Sequence, residues 1–139
     1  MKNLTFSGVE LPDGGITDLH VANGHFVSEA AAGAEAVDAE GLVALPGLVD
    51  LHTHLREPGR EDAETVASGS KAAVRGGYTC IFAMPNTDPV TDTAEDAEHV
   101  ADLGVAADLA QVIPIGAITK GLLGNELADL GLMHGSRAN

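Results

Sequence analysis

The stretch that decides the fold is Pro46–Gly59, PGLVDLHTHLREPG. Its first part, Gly47 to Asp50, is apolar and β-branched enough for a buried strand, and the Pro-Gly pair marks the start of that strand. Side chains two residues apart on an extended chain point the same way, so His52 and His54 share a face, about 6–7 Å apart along the strand. Two such imidazoles can converge on one metal ion where the strand twists or ends. We therefore expect a metal site here.

Charged groups flank the two histidines. Asp50 lies two residues before His52 and Arg56 two residues after His54. Because side chains alternate along a strand, a carboxylate and a guanidinium share the face of the two imidazoles. A metal with a cation next to it suits an anionic substrate attacked by metal-activated water. The alternative is that each histidine is a hydrogen-bonded core residue. The metal hypothesis is favoured because an apolar strand runs into Asp-x-His-x-His and Arg-Glu-Pro-Gly then breaks it at once.

Composition narrows the class of protein. The chain has 139 residues, enough for one modest domain, and a formal net charge of -14, which argues against a nucleic acid or an anionic membrane as partner. Cys80 is the only cysteine, so an intrachain disulfide is excluded, and a buried core thiol is favoured over a nucleophile. No basic-then-apolar leader opens the chain and no apolar run reaches about 18 residues, so we expect a cytoplasmic protein.

The remaining segments alternate between strand and helix patterns. Residues 1–45 are predicted to form short strands and turns, with a hairpin at Asn23-Gly24. Beyond the histidines, the pattern predicts a helix over 61–75 with an acidic first turn, a strand over 78–83, a helix from Thr93 to a stop at Gly104, a strand over 111–117 and a short helix over 125–133.

This alternation indicates a parallel α/β arrangement with right-handed crossovers. Working residues in such folds collect at the carboxyl ends of the strands. His52, His54 and Asn86 all fall at such ends in this interpretation.

At these residues the chain resembles a known family. Residues 50–59, DLHTHLREPG, are similar to the signature of dihydroorotases, which are cyclic amidohydrolases, and the resemblance continues through residues 76–79 and 83–87. Arg56 and Asn86 favour dihydroorotases over hydantoinases and allantoinases. The resemblance implies an α/β fold, the front part of a (β/α)8 TIM-type barrel, preceded by a small β-sandwich segment. Residues 1–45 would belong to the β-sandwich and residues 46–139 to the first βα units of the barrel.

The resemblance also implies an activity, a cofactor and residue roles. The activity is the reversible cyclisation of N-carbamoyl-L-aspartate to L-dihydroorotate in pyrimidine biosynthesis, with one or two zinc ions. His52 and His54 would bind metal, His54, Arg56 and Asn86 would bind substrate, and Asp50 would orient a ligand histidine. The alternatives are a surface salt bridge for Arg56, turn chemistry for Asn86 and a purely structural role at the strand end for Asp50.

Length limits what this chain does alone. A complete barrel takes about 250 residues, whereas the segment after residue 45 supplies roughly three βα units. A metal-binding aspartate, two further histidines and the proton-transfer aspartate expected on later strands have no positions here, so no catalytic residue is assigned. We expect an inactive fragment with half a metal site and an open sheet edge.

Two other functions stay open. One is a different cyclic amidase, a hydantoinase or an allantoinase. The other is a non-catalytic dihydroorotase-like partner of aspartate transcarbamoylase, although the intact His52 and His54 argue against it. For a full-length protein, a homo-oligomer and a complex with aspartate transcarbamoylase are both open.

Overall fold

A computed structural model describes residues 2–139. The chain divides into two compact units, one ending at Pro46 and the other running from Gly47 to Asn139. All the residues of the predicted metal and substrate site lie in the second unit.

The first unit is a four-stranded mixed sheet. Its strands are β1 (Leu4–Glu10), β2 (Ile16–Ala22), β3 (His25–Val27) and β4 (Glu35–Asp38), in the order β3-β2-β1-β4. The predicted hairpin is confirmed: β2 and β3 pair antiparallel around Asn23 and Gly24, whose φ angles of 52° and 81° suit the two-residue turn. β1 and β4 pair in parallel. The β-sandwich itself stays a prediction.

The second unit is an open parallel sheet with helices in the crossovers. In chain order it contains β5 (Leu48–Thr53), α1 (Val66–Arg75), β6 (Tyr78–Ala83), α2 (Ala94–Ala107), β7 (Gln111–Pro114), a 3-10 turn (Lys120–Leu122) and α3 (Leu130–His134). The sheet order is β5-β6-β7 and both pairings are parallel. The parallel α/β arrangement is confirmed, and the three carboxyl ends lie at one edge of the sheet.

The core of this unit joins the sheet to both long helices. Its buried residues come from β6, β7, α1, α2 and the residue that follows His54; they are Leu55, Val66, Ile81, Ala83, Val100 and Val112. Leu55 is only 3% exposed, so its side chain anchors the segment that leaves β5. This anchor is what fixes the backbone immediately after the two histidines.

Helix α1 begins later than the sequence pattern predicts. The predicted start at Glu61 with an acidic first turn is wrong, because the helix begins at Val66 and has no acidic residue in its first turn. Thr65 and Ser68 form a capping box, and the Glu57 carboxylate accepts a hydrogen bond from the Val66 N–H at 2.6 Å. Side chains that precede the helix therefore accept hydrogen bonds from the N–H groups of Val66 and Ser68.

Helix α2 begins at Ala94, with Thr93 as its N-cap, which is one residue after the predicted start at Thr93, and it does not stop at Gly104. It continues to Ala107, and Asp108 ends it in the left-handed conformation with φ 50°. Gly104 is buried where the helix lies on β7: an added Cβ would be 2.6 Å from the Cβ of Val112. The glycine therefore permits close packing and does not end the helix.

The last two predicted elements are shorter than expected. Strand β7 ends at Pro114 and not at Ala117, since the backbone beyond it bonds to other segments, including Ala117 N–H to the Thr91 carbonyl at 2.8 Å. Helix α3 begins at Leu130, where the Asp129 side chain caps it, whereas the pattern predicted a start near Asn125.

Candidate functional site

The carboxyl end of β5 brings two imidazole rings together. His52 is the penultimate residue of β5, and His54 follows the strand directly. Their ring centroids are 5.2 Å apart with an angle of 70° between the ring planes. Both residues are exposed to solvent, while Thr53 between them and Leu55 after them turn inward. The rings are therefore adjacent and reachable from solution.

This spacing fits a shared metal ion. For a tetrahedral zinc with Zn–N bonds of about 2.0–2.1 Å, two coordinating imidazoles have centroids about 5 Å apart. No group of three or more His, Cys, Asp or Glu side chains within residues 2–139 is arranged to hold a metal. Two imidazoles are fewer than the three protein ligands that a catalytic zinc site normally has.

His54 is hydrogen-bonded to Asn86. The distance from His54 Nδ1 to Asn86 Oδ1 is 2.8 Å. A carboxamide oxygen only accepts, so the imidazole donates through Nδ1 in this contact, and in the neutral ring Nε2 of His54 then keeps its lone pair. The contact joins the ends of β5 and β6 across 32 residues of sequence.

The loop that carries Asn86 is tied to the loop that follows β5. Met84 N–H donates to the Thr53 carbonyl at 2.9 Å, and Asp88 N–H donates to the Pro58 carbonyl at 3.0 Å. Asn86 therefore lies midway between two backbone hydrogen bonds to the histidine segment.

Gly59 is a functional position that the sequence analysis did not single out. It has a φ angle of 103°, and a Cβ added there would lie 2.5 Å from both the Cβ and the carbonyl oxygen of Asp88. The only sequence signal is the Pro-Gly pair that closes the Arg-Glu-Pro-Gly break. Its function is to let the two loops meet.

Arg56 lies beyond the end of β5 and is half-buried, with a left-handed φ of 63°. No ion pair among residues 2–139 includes its guanidinium. Its acidic neighbours are engaged elsewhere: Glu57 bonds to Val66 N–H, and Glu61 accepts from Gly59 N–H at 2.8 Å. That backbone hydrogen bond lowers the pKa of Glu61. The salt bridge that was the alternative for Arg56 is not formed.

Asp50 contacts the backbone of the histidine segment. Its Oδ1 accepts a hydrogen bond from the His52 N–H at 2.9 Å. The half-buried carboxylate therefore fixes the main chain at His52 and does not bond to the His52 ring.

Cys80, the only cysteine, is half-buried in the middle of β6, where burial raises the pKa of its thiol.

Comparison with known proteins gives a consistent result. The family described as Dihydro-orotase-like matches residues 41–138. A dihydroorotase from Leifsonia xyli subsp. xyli is 57% identical over 99% of this chain, which covers 33% of that relative. A dihydroorotase from Streptomyces coelicolor is 62% identical over 78% of this chain, which covers 25% of that relative. The chain thus spans between a quarter and a third of these relatives.

A solved structure supports the fold. An L-hydantoinase (dihydropyrimidinase) from Arthrobacter aurescens has a TM-score of 0.68 at 25% identity, over 86% of this chain and 28% of the hydantoinase.

None of the helices described between residues 2 and 139 has the length and apolar character to cross a membrane.

Proposed function

This chain belongs to the dihydroorotase-like family, and we propose that it supplies the amino-terminal third of a dihydroorotase. The proposed reaction is the reversible cyclisation of N-carbamoyl-L-aspartate to L-dihydroorotate in pyrimidine biosynthesis. The observation that carries the proposal is the pair of solvent-exposed imidazoles, 5.2 Å apart, at the carboxyl end of β5. Exposed rings at a strand end suit metal-assisted hydrolysis of an anionic cyclic amide, and so does the Arg56 guanidinium two residues after His54, which forms no ion pair among residues 2–139.

His52 and His54 would hold zinc. The Nε2 atom of His54 is available because Nδ1 donates to Asn86. Zinc held there would lower the pKa of a bound water toward about 7, which would allow hydrolysis at neutral pH. The further ligands, the number of metal ions and the proton-transfer aspartate would come from later strands.

Arg56 and Asn86 would bind the substrate carboxylate, with His54 beside them. The planar guanidinium matches a carboxylate with two parallel hydrogen bonds, and the Asn86 amide adds a donor. The 139-residue chain has a net charge of -14 and so repels anions, which means that capture of the substrate by this part of the site depends on the local guanidinium and the metal. Asp50 would support the site through the His52 backbone.

The proposal also covers the architecture of the two parts of the chain. We infer that residues 46–139 form the first βα units of a TIM-type barrel and that residues 1–45 form part of a β-sandwich. The open β5-β6-β7 sheet and the similarity to a hydantoinase structure support the barrel. We further propose a cytoplasmic enzyme that acts on a small molecule.

The test is turnover by a chimaera. Residues 1–139 of this chain replace the matching amino-terminal part of the Leifsonia xyli dihydroorotase, of which they cover 33%. We expect this chimaera to hydrolyse L-dihydroorotate and to prefer it to hydantoin and allantoin. A folded, zinc-loaded chimaera that prefers either of the other two rings would assign the chain to another cyclic amidase. One that hydrolyses none of them would support a non-catalytic partner.

A further inference from the structure

The contact between Asn86 and His54 bears on a role for Asn86 other than the proposed substrate binding. At 2.8 Å the carboxamide oxygen accepts, so the imidazole hydrogen is on Nδ1. This hydrogen bond selects one of the two neutral tautomers of the ring, the one whose Nε2 is unprotonated. An unprotonated ring nitrogen is what a metal ion needs from histidine.

The position of Asn86 does not depend on this hydrogen bond alone. Two residues before it, Met84 bonds to the Thr53 carbonyl, and two residues after it, Asp88 bonds to the Pro58 carbonyl. These bonds hold the Asn86 backbone on both sides, so the side chain meets His54 without losing much additional conformational entropy. The arrangement is prepared before any ligand arrives.

The other half of the carboxamide remains available. No hydrogen bond from Asn86 Nδ2 is formed within residues 2–139, whereas Oδ1 is engaged by His54. We propose that Asn86 is a positioning residue for the metal site: its oxygen fixes His54 with Nε2 free for a divalent cation, and its NH2 group stays free to donate to an anionic substrate. The identity of the substrate in this inference rests on the proposed function, whereas the metal-binding part can be tested on this chain alone.

The roles of the carbonyl oxygen and of the NH2 group of Asn86 can be tested separately by substitution. Asn86→Asp keeps an oxygen acceptor for His54 Nδ1–H but removes the NH2 donor. Asn86→Leu has a similar shape and removes both groups. Loss of a hydrogen-bond partner behind a metal-ligating histidine typically weakens metal binding by about 10–100-fold. A residue that only binds substrate would leave metal affinity unchanged in both variants.

The first experiment determines the tautomer of His54 in the metal-free 139-residue chain. Long-range ¹H–¹⁵N NMR spectra of the ring nitrogens, at a pH where the ring is neutral, show which nitrogen carries hydrogen. We expect the Nδ1–H form for His54. Three exposed histidines serve as internal references, namely His25, His99 and His134. An Nε2–H form of His54 in the folded wild-type chain would overturn the proposal without any variant.

The second experiment is a zinc titration of the same chain by calorimetry. His52→Ala defines the background of weak binding elsewhere. We expect Asn86→Leu to bind zinc about 10–100-fold more weakly than wild type, and Asn86→Asp to restore affinity to within about threefold. Thermal unfolding checks that both variants are folded. Equal zinc affinity in wild type and a folded Asn86→Leu chain would overturn the proposal, as would weakening of equal size in the Asp and Leu variants.

These results are independent of turnover. If the chimaera fails to hydrolyse dihydroorotate while the tautomer and the Asp rescue are observed, the proposed function fails and the positioning role stands. If the chimaera is active but His54 is in the Nε2–H form, the positioning role fails and the proposed function stands.

Discussion

Gly59 lies so close to Asp88 that a Cβ added to the glycine would be 2.5 Å from the Asp88 carbonyl oxygen. This approach brings the loop after β5 against the loop after β6, and the hydrogen bond from Asp88 N–H to the Pro58 carbonyl lies next to it. His54 and Asn86 belong to these same loops, and His52 lies at the end of β5. The meeting of His54 with Asn86 therefore depends on a residue with no side chain.

The first prediction concerns this close approach. Gly59→Ala should lower the free energy of unfolding by about 2–4 kcal/mol, because it adds both a backbone clash and an unfavourable positive φ. Gly124→Ala is the matched control, since Gly124 has a φ of 75° but nothing within 4 Å of an added Cβ. The control substitution should lower the free energy of unfolding by about 1–2 kcal/mol, because it introduces backbone strain alone. Urea unfolding measures both, and equal losses would show that the contact with Asp88 is unimportant.

A second prediction concerns the packing of α2 on β7. Gly104→Ala should destabilise the chain by about 1–3 kcal/mol, although alanine is the better helix former by about 1 kcal/mol. The reason is the 2.6 Å approach of an added Cβ to the Val112 Cβ.

Gly131→Ala in α3 is the control for that substitution. An added Cβ at Gly131 would meet Asp129 Oδ1 at 3.5 Å, which is an ordinary van der Waals distance. We expect its free energy of unfolding to stay within about 1 kcal/mol of wild type. A Gly104→Ala chain as stable as the Gly131→Ala chain would contradict the close packing of helix and sheet.

A third prediction concerns the reactivity of Cys80. Burial raises the pKa of this thiol because the thiolate is poorly solvated. Alkylation by iodoacetamide should therefore be slower in the folded chain than in urea-unfolded chain at pH 8, and its rate should rise at higher pH in the folded state. The raised pKa stabilises the fold below the unfolded thiol's pKa, and this contribution is lost as pH rises through the folded pKa. Faster alkylation of the folded chain would instead indicate an activated nucleophile.

Local patterns were sufficient for much of the fold. Apolar runs punctuated by Gly and Pro predicted β6, and the start predicted for α2 at Thr93 is within one residue of the observed start at Ala94. These features are encoded within a few neighbouring residues, and periodicity reports them directly.

Features that depend on contacts between distant residues were not predictable in this way. The end of α2 was misplaced because Gly104 is a contact with β7, and nothing in the helix itself reports that contact. The start of α1 was misplaced because Glu57, nine residues upstream of Val66, contributes to its cap. Likewise the sequence placed His54 and Asn86 at strand ends, but only the structure shows that their side chains meet.

The central claim is that His52 and His54 hold zinc while Arg56 holds the substrate carboxylate. The most direct test compares His52→Ala with Arg56→Ala in the chimaera, measuring zinc per chain and the KM for L-dihydroorotate. We predict that His52→Ala loses zinc, and that Arg56→Ala retains it but has a KM raised about 10-fold or more, as loss of a charge-assisted hydrogen bond of about 1.5–3 kcal/mol requires. Equal loss of zinc in the two variants, or full zinc in both, would contradict the claim.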